Sequence, residues 1–277
     1  GVTIPWASVV YVKTDDAAAL DVSYAKLTEI AAHIIREAEL PTDRQVTVLF
    51  DAFYLCPAVV NACAEKGWHW IGVGKSNRNF TPEGPGSTRK KLGQYGANLL
   101  GRKGKWRLVE GLKTKHRYRI AARQGYLKGI GQVQAVFSRR RSEKKTIALI
   151  TNDTRASATA VVRAYLKRWA VELLIKDEKQ HLGLSDYRVS RYRAVVRHLH
   201  LVDCAHACLT HLGLKDHKRH GAQGEKRAKT KPLALPPISQ LKARMHQVMW
   251  QEAVEDVVKV SHERPVLRRL EKLRHAA

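Results

Sequence analysis

The chain has 277 residues, enough for one large domain or two modest ones, and 44% of them are hydrophobic, so a sizeable core can form. Fifty Lys and Arg against 25 Asp and Glu leave a net charge of +25 and a pI near 10.2, which implies a polyanionic partner, most simply nucleic acid. No apolar run reaches transmembrane length and neither a basic amphipathic anchor nor a signal peptide is visible, which argues against a membrane partner. The four cysteines, Cys56, Cys63, Cys204 and Cys208, fit reduced cytosolic thiols rather than a disulfide framework, so a cytoplasmic protein is expected.

Residues 2–12 read as extended structure broken by Pro5, followed by Asp15, Asp16 and Asp21 in a polar turn. Residues 23–39 form an amphipathic helix with Leu27, Ile30, Ile34 and Ala38 on one side and Ser23 as N-cap. Val46 to Phe50 is a continuous apolar run, the pattern of a strand buried on both faces, and it ends at Asp51. Pro57 opens a helix, Gly67 closes it, and residues 68–74 return as a second strand. A strand–helix–strand unit implies a parallel pair. Asp51 then lies at the carboxyl end of a central strand, where such units place function; a turn or helix-capping Asp is the ordinary alternative.

Between residues 75 and 145 there are twenty Lys or Arg and three acids, Glu83, Glu110 and Glu143. A Gly/Pro/Ser loop (81–87) opens the stretch, and period-two alternation with Gly punctuation predicts short antiparallel strands. Such a β-layer would neutralise phosphates and make binding steeply salt-dependent. Trp106, between Lys105 and Arg107, is suited either to stacking on an unpaired base or to packing within the region's own small core. Residues 144–153 return as an apolar strand.

Residues 165–184 read as one helix with a stop at Gly183. Val162, Leu166, Trp169 and Leu173 make its apolar stripe. Beside that stripe Tyr165, Arg168, Glu172, Lys176 and Lys179 fall within about 80° of arc. Ordinary helix-surface pairing of Glu172 with Lys176 is one reading of that stripe. Residues 191–213 make another helix with Val195, Leu199, Val202, Ala205 and Leu209 buried. His200, Cys204, Cys208 and His211 share one of its faces, but a single helix cannot wrap four ligands around a tetrahedral zinc, so core or interfacial roles are expected for them. Residues 214–235 read as a basic linker, and the C-terminal stretch as two helices, with Leu241, Met245, Val248, Ala253 and Val257 packing on the body or on a second copy.

The spacing Y-x2-R-x3-E-x6-K, met by Tyr165, Arg168, Glu172 and Lys179, resembles the signature helix of bacterial insertion-sequence DDE transposases of the cut-and-paste type. LFDAFY around Asp51, followed by a helix, a strand and Lys75-Ser76-Asn77-Arg78, resembles the context of that family's second carboxylate. The resemblance covers roughly residues 1–213. It implies an α/β core of ribonuclease-H-like type (1–74 and 146–213), interrupted by a basic β-rich insertion (75–145) and followed by a basic helical tail (214–277). It further implies that Asp51 and Glu172 are catalytic and hold two Mg²⁺ ions, with Mn²⁺ as a substitute, and that Tyr165, Arg168, Lys176, Lys179, Lys75, Arg78 and Trp106 contact DNA. The implied activity is cleavage of double-stranded DNA at element ends and transfer of the 3′-hydroxyl strand into target DNA, and synapsis of two ends requires at least a dimer. The family's first Asp lies on a strand upstream of the segment resembling residues 2–12, and Asp15, Asp16 and Asp21 fall too late to replace it. An amino-terminally truncated, inactive fragment is therefore expected; a non-catalytic, transposon-derived DNA-binding protein or regulator is the alternative.

Overall fold

A computed structural model describes residues 2–41, 43–82, 87–110, 115–223 and 235–260. The chain folds as two compact units, one from Tyr11 to Glu172 and one comprising Gly1–Val10 and Leu173–Ala277.

The first unit is built on an eight-stranded mixed sheet. Its strands are β1 (Thr47–Phe50), β2 (His69–Gly74), β3 (Asn79–Pro82), β4 (Lys90–Lys91), β5 (Lys105–Glu110), β6 (Lys115–Leu127), β7 (Gly131–Arg140) and β8 (Ile147–Thr151). The spatial order is β1-β2-β8-β7-β6-β3-β4, with β5 also paired to β6. Among the described residues only β1 and β2 run parallel, joined by a helix as the strand–helix–strand reading requires; the other pairings are antiparallel. Helices flank the sheet: α1 (Thr14–Ala17), α2 (Leu27–Glu37), α3 (Pro57–Glu65), α4 (Leu92–Lys103) and α5 (Ala158–Leu166). This is the mixed α/β, ribonuclease-H-like architecture that the resemblance implies.

Alternation along the strands sorts the core into two layers. Val133, Ala135 and Phe137 of β7 and Ala148 and Ile150 of β8 join Ala32, Val59, Leu92 and Leu100, so α2, α3 and α4 cover one face. Val136 and Leu149 point the other way and meet Val161 and Val162 of α5. Cover on both faces explains why residues 133–138 of β7 are buried without interruption.

Local chemistry shifted several boundaries. Residues 2–12 form no strand. The α2 N-cap is Lys26 rather than Ser23, because the Glu29 carboxylate accepts the Lys26 N–H at 2.9 Å. The helix α4 interrupts what reads as uniform strand alternation; its buried positions 92, 96 and 100 repeat at i, i+4 and i+8. Among the described residues only β2 pairs with β1, which makes it an edge strand there rather than the central one expected.

The second unit is helical: most of α6 (Trp169–His181), α7 (Tyr192–Gln223) and α8 (Ile238–Val260). Leu209 of α7 packs on Ile238 and Leu241 of α8, with Leu182 beside them. Helix α7 runs through residues 214–223, which read as linker; residues 224–234 and the last predicted helix (265–273) lie outside the described residues. Of the predicted α8 contacts Leu241 is buried, whereas Met245, Val248 and Ala253 are exposed; the side chain of Val257 lies outside the described ones. His200, Cys204, Cys208 and His211 are not core residues of α7: Cys204 and His211 are exposed, and none of the four is buried. No helix among the described residues is long and apolar enough to cross a membrane.

Candidate functional site

Strand β1 ends as its last apolar side chain, Phe50, stacks on Trp70 of β2 with ring centroids 5.8 Å apart. That approach requires Gly72, where an added Cβ would lie 2.1 Å from the Phe50 ring. The next residue, Asp51, is exposed, and its Oδ1 accepts the Phe53 N–H at 2.8 Å, an Asx-turn that aims the carboxylate. Leu55 is buried below, and its carbonyl accepts a 2.7 Å hydrogen bond from Nη1 of Arg78. Arg78 is part-buried, and burial pulls its pKa down. The guanidinium therefore ties the loop after Asp51 to the β2–β3 connection. Arg78→Ala is expected to cost about 1–3 kcal/mol by leaving that carbonyl unpaired, read as a fall in the urea midpoint and faster proteolysis at residues 51–56; unchanged values would count against the tether.

The Glu172 side is built differently from its expected single helix. The Ser157 hydroxyl caps α5 by accepting the Ala160 N–H at 3.2 Å, and Val161 and Val162 seat the helix on the sheet. The helix then breaks at Lys167–Arg168. Backbone bonds tighten there to the i−3 pattern (Arg168 N to Tyr165 O, 2.9 Å; Val171 N to Arg168 O, 3.0 Å) before α6 begins at Trp169. The break ends the expected apolar stripe: Trp169 is 55% exposed instead of buried.

Around the break the signature residues meet. Arg168 Nη2 donates to Glu172 Oε1 at 2.7 Å, and the Arg168 guanidinium lies 5.8 Å from the centroid of the Tyr165 ring. Burial is the main cause raising the Tyr165 phenol; Arg168 opposes it, and the negative charges of Asp51 and Glu172 both add to it. Asp51 and Arg168 also border a shared hollow of about 300 Å³, floored by Ile34, Phe50, Val59 and Val171.

Other expected site residues lie elsewhere. Lys75 is exposed just past β2. Trp106 stands opposite Arg119 on β5 and is 47% exposed, which removes the reading of it as a packed core residue. Lys176 and Lys179 are exposed on α6, within the helical unit. Sequence reasoning missed the tether of Arg78, since nothing in a Lys/Asn/Arg run shows which cation is turned inward.

Asp51 and Glu172 offer the hard oxygen donors that Mg²⁺ or Mn²⁺ takes. Glu172 is engaged by Arg168, and no group of three metal-ligating side chains exists among the described residues. By donor chemistry alone, two carboxylates would leave such a site short of oxygen ligands.

Residues 13–208 match the family described as the Transposase DDE domain. Over 70 residues, 25% of this chain, the sequence is 36% identical to a protein of Sinorhizobium fredii (strain NBRC 101917 / NGR234) named as a candidate transposase, y4zB; the match spans 20% of that relative's length.

Proposed function

The chain belongs to the Transposase DDE domain family, and from that premise we propose that it is part of a DNA transposase that cuts at element ends and joins the 3′-hydroxyl strand to target DNA. The observation that supports this reading is that Arg168, paired with Glu172 at 2.7 Å, borders the same hollow as Asp51. In the proposed reaction water, and then the freed 3′-oxygen, attacks phosphorus while the opposing ester oxygen departs. Bound Mg²⁺ or Mn²⁺ would supply Lewis-acid activation of the attacking and leaving oxygens. Asp51 and Glu172 would hold it, and Arg168, now compensating Glu172, would turn to a phosphate oxygen. Tyr165, Lys75, Lys176, Lys179 and Trp106 would contact DNA, and Arg78 would hold the Asp51 loop in place. A further oxygen ligand would be needed to complete the metal site, and without it the chain would bind DNA but not cleave it. Two copies would be needed to pair two ends, and the site of action would be the nucleoid.

Mn²⁺ affinity of the 277-residue chain tests the pair. It is expected to fall at least roughly tenfold in Asp51→Asn and in Glu172→Gln, with duplex binding little changed. Both variants should also lower the Tyr165 phenol pKa, because each removes a negative charge that raises it. Wild-type Mn²⁺ affinity in both variants would sink the catalytic reading. A non-catalytic DNA-binding regulator would then remain, a reading favoured by the Arg168–Glu172 pair and the incomplete ligand set among the described residues.

A further inference from the structure

An open groove of about 670 Å³ lies along β4 and α4, lined by Arg89, Lys90, Lys91, Arg102, Lys103 and Arg123. No acidic side chain is among its described lining residues. Arg102 and Lys103 fall in the last helical turn, where a cation is favoured by the helix dipole. Lys91 is the N-cap, with Arg89 and Lys90 just before it, and the first turn contains no acid. Cations there oppose the dipole. Helix stability therefore accounts for one end of the row and not for the other; an anion spanning both accounts for the whole.

The first two helical N–H groups are already used, Leu92 on the Arg78 carbonyl and Gly93 on the Ser76 carbonyl, both at 2.9 Å. Contacts from this groove must come from side chains. Gln94 and Asn98, one turn apart, add neutral hydrogen-bond donors between the two cationic ends. Tyr95 fixes the floor: its ring packs against Phe80 and Phe137 at 5.5 and 5.8 Å, and Lys90 Nζ lies 5.7 Å from its centroid. A ring so engaged is not free to stack on a base, so the groove suits backbone rather than base recognition.

From Lys91 to Lys103 the helix advances about 18 Å, far more than one phosphate and comparable to five nucleotide steps along a strand. Strand β4 is at the edge of the sheet opposite β1, six strand spacings or roughly 29 Å away. That corresponds to about nine base-pair steps. The groove shares no lining residue with the hollow at Asp51.

We infer that this groove is a second, sequence-independent site for the phosphodiester backbone of double-stranded DNA, holding the duplex away from the Asp51–Glu172 region. The inference rests on the transposase reading, which requires a duplex to be present. The test uses the 277-residue chain and a 30-base-pair duplex of arbitrary sequence, with affinity measured by fluorescence anisotropy across about 50–200 mM salt. K90Q/K91Q/R102Q/K103Q is expected to reduce the slope of log affinity against log salt by about 3 to 4, at 0.9 per phosphate contact. A control carrying K13Q/K26Q/R44Q/K66Q, four exposed cations outside the basic 75–145 stretch and away from the groove, removes the same charge and is expected to change the slope by less than 1. Equal slopes for the two variants overturn the groove and leave the Asp51–Glu172 reading to its own Mn²⁺ test. A larger loss for single-stranded DNA than for duplex also overturns it. A wild-type chain that binds no duplex overturns both readings. Circular dichroism of each variant verifies that the comparison is between folded proteins.

Discussion

Phe137→Ala is expected to lower the unfolding free energy of the α/β unit by about 3–5 kcal/mol. The ring is fully buried in mid-β7, on the face covered by α4. It meets Phe80 edge-on at 6.5 Å and Tyr95 at 5.8 Å. Helix α4 comes close because residue 96 is Gly; a Cβ there would sit 2.1 Å from the Phe137 ring. A side-chain-free position cannot fill the space the ring vacates, so the cavity term adds to the lost transfer energy. Urea unfolding monitored by tryptophan fluorescence reads the change as a shift of the midpoint at constant slope. A cost below about 1 kcal/mol would mean that α4 does not rest on β7 in solution. The variant should also weaken duplex binding, because Tyr95 floors the cationic groove.

Glu178→Gln is expected to stabilise the helical unit relative to wild type by an amount that grows with pH, reaching roughly 3 kcal/mol by pH 8. Glu178 of α6 is 3% exposed, and its Oε1 lies 3.4 Å from Nδ1 of His206 on α7, itself 3% exposed. Burial, reinforced by the charges of Asp203 and Asp177, pushes the Glu178 carboxyl up to about 7 from an ordinary 4.5. Burial pulls His206 down, although Asp177 and Asp203 oppose it. Both shifts favour a neutral acid facing a neutral imidazole over an ion pair.

The signs then follow. The folded state holds the Glu178 proton more tightly than the unfolded chain does. Its contribution is fully present below pH 4.5 and is lost as pH rises through about 7. His206 works in the other direction: its contribution is present above its ordinary value of 6.5 and is lost as pH falls through the lowered folded value. The two partly offset one another between 4.5 and 6.5, so the difference between variant and wild type, not the wild-type curve, isolates Glu178. Thermal melts from pH 5 to 8 check it. A difference that does not change with pH would mean that Glu178 is ionised in the folded state throughout.

Much of the site was legible in the residues. The apolar run ending at Asp51, Pro57 opening a helix and Gly67 closing it are local signals, and the parallel β1–β2 pair follows from them. Gly183 has φ +75° just past the end of α6, as a helix stop requires. The meeting of Arg168 with Glu172 follows from i, i+4 spacing alone. Helix α4 was not legible, because three glycines and flanking lysines mask an apolar stripe that shows only against Phe137. Nor was the break at Lys167–Arg168, where neither Gly nor Pro announces it. Burial of Glu178 was equally hidden: a Glu between Asp177 and Lys179 in a charged helix reads as surface.

Composition and short-range pattern by themselves determined a basic α/β chain and the positions of most of its strands; the pair of acids on which its proposed chemistry depends came from the resemblance of two motifs to a known family. Tertiary structure decided that β1 lies at the sheet edge, that Arg78 is turned inward to Leu55, that Trp106 is exposed, and that cations from β4, α4 and β6 line one groove. The physical reason is range. Turn, cap and periodicity preferences act over a few residues. Edge against centre, and inward against outward, are settled by hydrogen bonds and packing between segments tens of residues apart, whose partners no local window contains.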